Sequence, residues 1–236
     1  MTRPREQAAG LARLIEAAGG KAVLFPAIEI EDLPDCPALE RLHEYDLAVF
    51  ISPTAVQRAL RQRAWPPSVK AAAIGAGTRR ELERHGVSAL VPAEGTDSEA
   101  LLALPALHQV KGRRILIIRG QGGRELLGET LATRGARVEN AECYRRSRPN
   151  ADASPLVEAS RRGEVHAVTV SSAEGLDNLL AMLGPAGRQM REELGWFVPH
   201  PRVAEHARAC GLAHVVSAGP GDDEMTARLV AYFDAS

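Results

Sequence analysis

The stretch ISPTAVQRAL, residues 51–60, is the key to the fold class, because it joins the end of an apolar run to the start of a helical pattern. The run at residues 47–51 is typical of a buried strand, and a helix is predicted directly after the turn at residues 52–54. The stretch VSSAEGLDNLL, residues 170–180, repeats this arrangement far downstream. Short apolar strands that alternate with helices predict βα units and parallel sheets.

Two kinds of unit alternate along the chain. The shorter kind reads loop, helix, glycine and strand, and it occurs at residues 2–30 and 115–146. In the first copy the predicted helix has one apolar face, Gly19 and Gly20 end it, and residues 23–25 form a strand. The matching apolar faces are Leu11, Leu14, Ile15 and Ala18 in the first copy, and Leu126, Leu127, Thr130 and Leu131 in the second. Gly135 ends the second helix, and its strand includes Val138.

The longer kind of unit spans residues 45–104 and 165–230. Three pairs recur at one offset of 125, namely Gly86 with Gly211, Asp97 with Asp222 and Glu99 with Glu224. Ser52 pairs with Ser171 at an offset of 119. Shared offsets over such lengths predict that the two copies have the same order of elements.

The order short, long, short, long permits two assignments of lobes. Either each lobe is a tandem pair, or the middle two copies form one lobe and the outer two join into the other. The junctions at residues 28–37 and 146–155 carry prolines with charged or small polar residues, as linkers do, whereas residues 104–114 are more apolar. These junctions favour a discontinuous lobe of residues 1–31 plus 149–236 and a continuous lobe of residues 32–148.

Composition argues against several classes of protein. The net charge of −1 predicts no bulk attraction to nucleic acid or to a membrane surface. Cys36, Cys143 and Cys210 form no CxxC pair, so neither a disulfide framework nor a zinc knuckle is indicated, and a reducing cytoplasm is expected. The apolar runs are too short to span a bilayer, and the first residues do not resemble a signal peptide. A monomer is expected, because the repeat builds its own pair of lobes.

Candidate chemistry lies in the loops after the strands. In open parallel sheets, ligands bind at the carboxyl ends of strands, next to helix N-termini whose free N–H groups attract anions. The glycine- or hydroxyl-rich stretches all fall at such positions: residues 2–4, 52–54, 75–78, 119–124, 171–172, 199–202 and 218–222. Two facing lobes would surround one cleft with these loops. A serine or threonine after a strand is, however, more often only a helix N-cap.

Other motifs in the sequence do not indicate a specific chemistry. GAGTRR, residues 75–80, lacks the third glycine of a dinucleotide site, and RGQGGRE, residues 119–125, lacks the GK[ST] of a P-loop. His200, His206 and His214 show no metal spacing, so no metal is predicted. Carboxylates at the start of a helix interact favourably with the helix dipole, and this is sufficient to explain Asp222 at its position.

Tyr144 is one of three tyrosines, and it ends a predicted strand at a linker. A phenol at that place can donate a proton to a leaving hydroxyl, although it is a weak acid near neutral pH. Packing in the core or in the hinge is the simpler interpretation. The neighbouring Arg145 and Arg146 are equally compatible with a solvated face and with a site.

The ensemble of motifs resembles the uroporphyrinogen-III synthase family, and the resemblance runs in order from Thr2 to Val230. The strings that carry it are TRP (2–4), YDLAVFISPTAV (45–56), AAIGAGTRRELERHG (72–86), GTDSEALL (95–102), RGQGGRELLGETLATRGARVENAECYRR (119–146), VSSAEGLDNLL (170–180) and VPHPRVAEHARACG (198–211). The resemblance implies two parallel-sheet, flavodoxin-like α/β lobes joined by a two-stranded linker. It also implies the reaction, in which hydroxymethylbilane loses water and closes to uroporphyrinogen III with ring D inverted, without a metal or an organic cofactor.

The resemblance also implies the site residues. Tyr144 matches the tyrosine of the family that is proposed to assist departure of the hydroxyl. The matching substrate-binding positions are Arg3, Ser52, Ala55, Thr78, Gly123, Arg124, Ser171, Ser172 and Arg202. Hydroxymethylbilane is a polycarboxylate, which suits a cleft lined by helix N-termini.

Two functions of other classes stay open beside the synthase. One is a non-catalytic bilobal protein that binds a small anion or a sugar, and the other is a regulatory sensor module of the same fold. Both would have the same hinge and the same loops. Incubation with hydroxymethylbilane, followed by analysis of the product isomers, separates them from an enzyme.

The amino end departs from the family pattern. Members usually have a short apolar strand directly before TRP, whereas Met1 immediately precedes Thr2 here. The sequence therefore predicts either a start placed downstream of the natural one or a lobe that lacks an edge or central strand. The second case would strain the stability of that lobe and the shape of the cleft.

Overall fold

The computed structural model describes residues 1–33 and 36–234 of the chain. Its helices are α1 (Ala9–Ala17), α2 (Pro37–Glu40), α3 (Pro53–Gln62), α4 (Ala76–Arg84), α5 (Ser98–Leu102), α6 (Leu126–Thr133), α7 (Ser154–Arg161), α8 (Ala173–Leu183), α9 (Arg188–Glu193), α10 (Pro201–Ala209) and α11 (Asp222–Asp234). Its strands are β1 (Glu29–Asp32), β2 (Leu47–Phe50), β3 (Lys70–Ala73), β4 (Ala89–Leu90), β5 (Arg114–Gly120), β6 (Arg137–Ser147), β7 (Ala167–Thr169), β8 (Gly195–Val198) and β9 (His214–Ser217). Short 3-10 helices occupy Arg5–Gln7, Leu42–Glu44, Pro105–Leu107 and Gly184–Gly187.

The internal repeat is visible in the order of these elements. The first long copy reads β2-α3-β3-α4-β4-α5, and the second reads β7-α8-β8-α10-β9-α11, with α9 as an addition. The helices of the two short copies, α1 and α6, are followed by Gly19 at φ 84° and Gly135 at φ 88°. Glycine adopts this left-handed conformation without the steric cost that a side chain brings, so both predicted helix ends are explained.

Residues Ile30–Arg146 form one compact unit, called unit 2 here, on a six-stranded sheet in the order β1-β6-β5-β2-β3-β4. β2 pairs in parallel with β3 and β5, and β5 pairs in parallel with β6. Side chains of β5 alternate between the two faces: Ile115 and Ile117 pack with Leu127 of α6, whereas Leu116 and Ile118 pack with Phe50. Because helices cover both faces, the central strands are apolar along nearly their whole length.

Met1–Glu29 and Ser147–Ser236 form the other compact unit, called unit 1 here. Its sheet has three parallel strands in the order β7-β8-β9. On one face, α8 and α10 contribute Leu176 and Ala204 to a core around Trp196. On the other face, α1 and α11 contribute residues such as Leu11 to a smaller core around Phe197.

The boundaries between the units lie after residues 29 and 146, and the predicted boundaries lie two residues beyond each (31 − 29 and 148 − 146). Both fall within strands, β1 and β6, that are neighbours in the six-stranded sheet. Residues 34 and 35 of the predicted 28–37 linker, and residues 235 and 236, lie outside the described residues. That the two units act as hinged lobes around one cleft stays a prediction.

The predicted strand at residues 23–25 is wrong, because residues 21–26 are irregular. The α-amino group of Met1 donates to the carbonyl of Val23 at 2.7 Å, and the N–H of Phe25 donates to the carbonyl of Met1 at 2.9 Å. These two bonds form a single parallel bridge. A strand needs a neighbour along its length, and here the neighbour is one or two residues long.

Within the described ranges, no helix combines the length and the apolar character that crossing a bilayer requires.

Candidate functional site

The loops after the strands of unit 2 gather several predicted residues at one edge of its sheet. Ser52 follows β2, Gly75 follows β3, Gly120 ends β5, and Tyr144 lies near the end of β6. Because the pairs β2–β3, β2–β5 and β5–β6 are parallel, these carboxyl ends lie on the same side of the sheet. The site of unit 2 is therefore assembled by parallel pairing of strands that are distant in the sequence.

Tyr144 is at the centre of this edge. Its side chain is 2% exposed, and its Oη lies 3.0 Å from the Oγ of Ser52. The Oγ of Ser52 also accepts a hydrogen bond from the N–H of Ala55 at 3.0 Å, which makes Ser52 the N-cap of α3. Three of the predicted residues thus form one connected set of hydrogen bonds, and packing holds the phenol in place.

Gly120 provides the room for Tyr144. A Cβ on Gly120 would lie 2.6 Å from a ring carbon of Tyr144 and 3.1 Å from its Oη, so a larger residue would displace the ring. The guanidinium of Arg146 lies over this ring, with Cζ 6.0 Å from the centroid, within the range of a cation–π interaction. From the sequence, Arg146 was equally compatible with a solvated face and with a site. Its position over Tyr144 adds it to the candidate site residues.

Arg119, which sequence analysis did not single out, organises the loop after β5. It is 3% exposed, and its guanidinium donates to the carbonyls of Gly122 and Arg124 and pairs with Glu125 at 3.1 Å. Gly123 has φ 103°, and a Cβ there would lie 2.7 Å from Nη2 of Arg119. The available signal was the single charged residue within the apolar run ILIIRG, because a buried guanidinium requires several acceptors.

Thr78 and Arg124 lie at the same edge but differ in exposure. Thr78 is in the first turn of α4 and is 2% exposed. The N-cap of this helix is Gly75, which has no side chain with which to cap it. Arg124 is exposed and lies 3.4 Å from Glu99, a surface pair of the kind that contributes little stability. The exposed first turn of α4 and the guanidinium of Arg124 are thus donors that an anion can reach.

Unit 1 has its own predicted residues after its strands. The guanidinium of Arg3 pairs with the carboxylate of Asp222 at the start of α11, and the side chains are 14% and 30% exposed. The sequence explained Asp222 by the helix dipole alone, and the ion pair is an additional role. Any carboxylate ligand of Arg3 has to share this guanidinium with Asp222.

The serines after β7 correct the alignment of the repeat. The Oγ of Ser172 accepts a hydrogen bond from the N–H of Gly175 at 3.1 Å, so Ser172 is the N-cap of α8. Ser52 has the same role in α3. The structural counterpart of Ser52 is therefore Ser172, at an offset of 120 (172 − 52), and the predicted pairing with Ser171 is wrong. The starts of the preceding strands, Leu47 and Ala167, give the same offset of 120 (167 − 47). Ser171 is partly buried and directly precedes the cap.

Arg202 lies in the first turn of α10 in unit 1, and it is exposed. His200 is the N-cap of α10, and its side chain makes no capping hydrogen bond with any residue that the structure describes. Each unit thus has one helix capped by serine, α3 or α8, followed by one without a side-chain cap, α4 or α10. The second kind keeps its N–H groups and the positive end of its dipole for an anion.

One group of possible metal ligands occurs in the described part of the chain. Asp177, His206 and Cys210 place their ligand atoms within 4.8 Å of one another. The Nε2 of His206 lies 2.7 Å from the Oδ1 of Asp177, and this hydrogen bond accounts for the pair. Burial and the charge of Asp177 raise the pKa of the Cys210 thiol, which disfavours the thiolate that a metal needs. The sequence missed this group because Asp177 lies on another helix.

A family model described as uroporphyrinogen-III synthase HemD matches residues 9–227. The chain belongs to the uroporphyrinogen-III synthase family. The uroporphyrinogen-III synthases of Salmonella typhimurium (strain LT2) and Escherichia coli (strain K12) are 36% and 34% identical to it, and each alignment covers 97% of both chains. The predicted family is confirmed.

Solved structures of this family show the same fold. A mutant uroporphyrinogen III synthase from the extremely thermophilic bacterium Thermus thermophilus aligns with a TM-score of 0.63 at 22% identity, over 100% of this chain and 98% of that one. The uroporphyrinogen-III synthetase of Helicobacter pylori 26695 aligns with a TM-score of 0.60 at 13% identity, over 92% and 93% of the two chains. The predicted α/β fold with parallel sheets is confirmed, whereas the roles of individual site residues stay predictions.

Proposed function

We propose that this chain is a uroporphyrinogen-III synthase, a hydro-lyase that closes hydroxymethylbilane to uroporphyrinogen III with loss of water and inversion of ring D. Membership of the family supports the reaction. The observation that carries the site is the pair of hydroxyls at the edge of the unit 2 sheet, with the Oη of Tyr144 3.0 Å from the Oγ of Ser52.

The first step of the proposed reaction is departure of the hydroxyl from the substrate's terminal hydroxymethyl group. The C–O bond breaks with its electron pair on oxygen, the pyrrole nitrogen supplies electrons to the carbon, and an azafulvene cation results. A proton must reach the departing oxygen to release water, and Tyr144 is the donor in this proposal. Ser52, held by the N–H of Ala55, positions the phenol for that transfer.

The second step is inversion of ring D. The azafulvene carbon bonds to the substituted α-carbon of ring D to give a spiro-pyrrolenine. The bond from this spiro carbon to the bridge that leads to ring C then breaks, which leaves an azafulvene on ring C. The free α-carbon of ring D bonds to that bridge and loses its proton, so that the ring is reversed. The hydroxyl of a pyrrolic methanol departs easily. The main task of the protein is therefore to hold ring D in the productive orientation, so that closure to isomer III is faster than spontaneous closure to isomer I.

The carboxylates of the substrate are bound in this proposal by donors that each unit offers separately. These donors are the first turns of α4 and α10, which lack a side-chain cap, and the guanidinium groups of Arg3, Arg124 and Arg202. Amide donors at a helix start bind anions without an excess of basic residues, in keeping with the net charge of −1. A cytoplasmic location, a monomeric state, the absence of a cofactor and the absence of a nucleic acid partner belong to the same proposal.

The test is Tyr144→Phe, assayed with enzymatically generated hydroxymethylbilane and separation of the product isomers. The rate of isomer III formation is expected to fall by about a hundredfold, the lower range for loss of a general acid, while the thermal midpoint of unfolding changes little. The matched control is Tyr45→Phe, because Tyr45 is also buried in unit 2 and its Oη bonds to Glu139. This control is expected to keep the wild-type isomer ratio and rate.

An unchanged rate in Tyr144→Phe would remove Tyr144 from the mechanism without affecting the proposed reaction. If the unmodified chain yields isomer I alone, the synthase proposal itself is wrong. Tight binding of hydroxymethylbilane without turnover would instead favour the non-catalytic binding protein.

A further inference from the structure

Unit 2 contains two cysteines that the proposed mechanism does not use. Cys36 directly precedes α2, Cys143 lies in β6, and both belong to the buried cluster that includes Tyr144. The carbonyl of Cys143 accepts a hydrogen bond from the N–H of Leu33 at 3.1 Å, which places the chain three residues before Cys36 alongside β6. The two cysteines are 107 positions apart (143 − 36), so no sequence motif marks the pair.

A side-chain hydrogen bond joins the two thiols, with Cys143 as donor and Cys36 as acceptor. This bond lowers the pKa of the Cys36 thiol, because it stabilises the thiolate. The same bond raises the pKa of the Cys143 thiol, and burial raises it further. The Sγ of Cys143 also lies 3.5 Å from the carbonyl oxygen of Ala141, a second acceptor for its proton. Cys36 is therefore the more nucleophilic sulfur, and Cys143 stays protonated beside it.

Cys143 is also the extra residue of a β-bulge. The pairing of β6 with β5 passes from Glu142 directly to Tyr144, so Cys143 has no partner in β5. The extra residue of a bulge is left outside the ladder of its strand pair. The sulfur of Cys143 can therefore move the short distance that a covalent bond to Cys36 requires without breaking a pair between these two strands.

A cavity of about 630 Å³ that opens to solvent gives access to Cys36. Cys36 and Ala38 lie on one side of it, and Glu139 and Glu142 of β6 lie on the other. Cys36 is 9% exposed, whereas Cys143 is fully buried, so a reagent in the cavity reaches Cys36 first. The described lining holds two carboxylates and no basic side chain. A small neutral oxidant is therefore favoured over an anionic one such as oxidised glutathione.

We propose that Cys36 and Cys143 are an oxidisable dithiol, which hydrogen peroxide converts into a reversible disulfide. First, the Cys36 thiolate attacks a peroxide oxygen and the O–O bond breaks. The hydroxide that leaves takes up a proton to become water, and Cys36 becomes a sulfenic acid. Next, the sulfur of Cys143 attacks that of Cys36, and the S–O bond breaks. Hydroxide leaves with the proton of Cys143 as a second water, so two thiols and one peroxide give one disulfide and two waters. A dithiol reductant reverses the oxidation by exchange.

The test exposes the purified chain to hydrogen peroxide and follows each cysteine by mass spectrometry of the intact chain and of its peptides. The chain is expected to lose two hydrogen atoms, with Cys36 and Cys143 recovered in one linked pair of peptides, and dithiothreitol is expected to restore both thiols. Cys210 is the internal control, because burial raises the pKa of its thiol. It is expected to react about tenfold more slowly than Cys36. Oxidised glutathione is expected to form the disulfide much more slowly than peroxide does.

Two serine variants separate the roles of the two sulfurs. In Cys143→Ser the hydroxyl can still donate to Cys36 but cannot form a disulfide, so Cys36 is expected to stop at the sulfenic acid and to be labelled by dimedone. In Cys36→Ser, Cys143 is expected to stay reduced, because it is buried and protonated.

The outcomes that would overturn the proposal are read in the unmodified chain, so a variant that fails to fold does not remove the test. Oxidation of Cys36 that is no faster than that of Cys210 would show that the pair is not activated. Oxidised forms of Cys36 without the peptide pair linked to Cys143 would show that the two sulfurs do not meet. Either result would make the dithiol proposal wrong.

Discussion

Unit 1 and unit 2 follow one order of elements but differ in how far the sheet is completed. In unit 2, β2 pairs on both sides within a sheet of six strands, whereas in unit 1 its counterpart β7 is at the edge of three described strands. The local signals match, since α1 and α6 both end before a glycine of positive φ, and α3 and α8 both begin at a serine cap. A strand-like sequence such as residues 23–25 therefore stays irregular when it has no paired neighbour.

The largest expected contrast lies at two glycines, one in each unit, where an added Cβ would meet a side chain. Gly120→Ala in unit 2 is expected to lower the free energy of unfolding by about 3 kcal/mol, because its Cβ would lie 2.6 Å from the buried ring of Tyr144. Synthase activity is expected to fall with it, since the phenol is displaced. Urea denaturation and the isomer assay measure both effects.

Gly10→Ala in unit 1 is the matched variant. Its Cβ would lie 2.6 Å from Oδ2 of Asp222, the end of a partly exposed side chain that can move. Alanine is favoured over glycine inside a helix by about 1 kcal/mol, so this variant is expected to be neutral or slightly stabilising. Equal losses at the two positions would contradict the view that a rigid, buried ring makes Gly120 special.

The next contrast concerns one buried valine in each of the corresponding strands. Val49→Ala in β2 is expected to cost about 2 kcal/mol, because Val49 is fully buried between two paired strands. Val168→Ala in β7 is expected to cost about 1 kcal/mol, because Val168 lines a cavity in unit 1 and its loss leaves less new empty space. Urea denaturation of both variants gives the difference. A cost of Val168→Ala that equals that of Val49→Ala would contradict the contrast between an edge strand and a central strand.

The smallest stability effect is expected at the two serine caps. Ser52→Ala and Ser172→Ala each remove the hydrogen bond to the first turn of a helix, at an expected cost of about 1 kcal/mol in thermal or urea denaturation. Ser52→Ala alone is expected to slow formation of isomer III, because only Ser52 also contacts Tyr144. Similar activity losses in both variants would show that the contact with Tyr144 adds nothing beyond the cap.

The candidate site shows how far sequence reasoning reaches. Tyr144 and Ser52 were both singled out at strand ends, and the resemblance to the family added their roles. Their contact joins residues 92 positions apart and required the parallel pairing of β2, β5 and β6. Arg119 was passed over because its acceptors lie in the backbone of a loop whose course the sequence does not reveal. Arg146 stayed undecided until its guanidinium was found over the ring of Tyr144.

Local sequence was sufficient for the alternation of strands and helices, the internal repeat and most helix ends, because periodicity, caps and glycines act over a few neighbouring residues. The three-dimensional fold was needed to establish that residues 23–25 lack a full strand partner, that Ser172 rather than Ser171 corresponds to Ser52, and that Ser52 contacts Tyr144. Those outcomes depend on which distant backbone and side-chain groups meet, and local sequence carries little information about that.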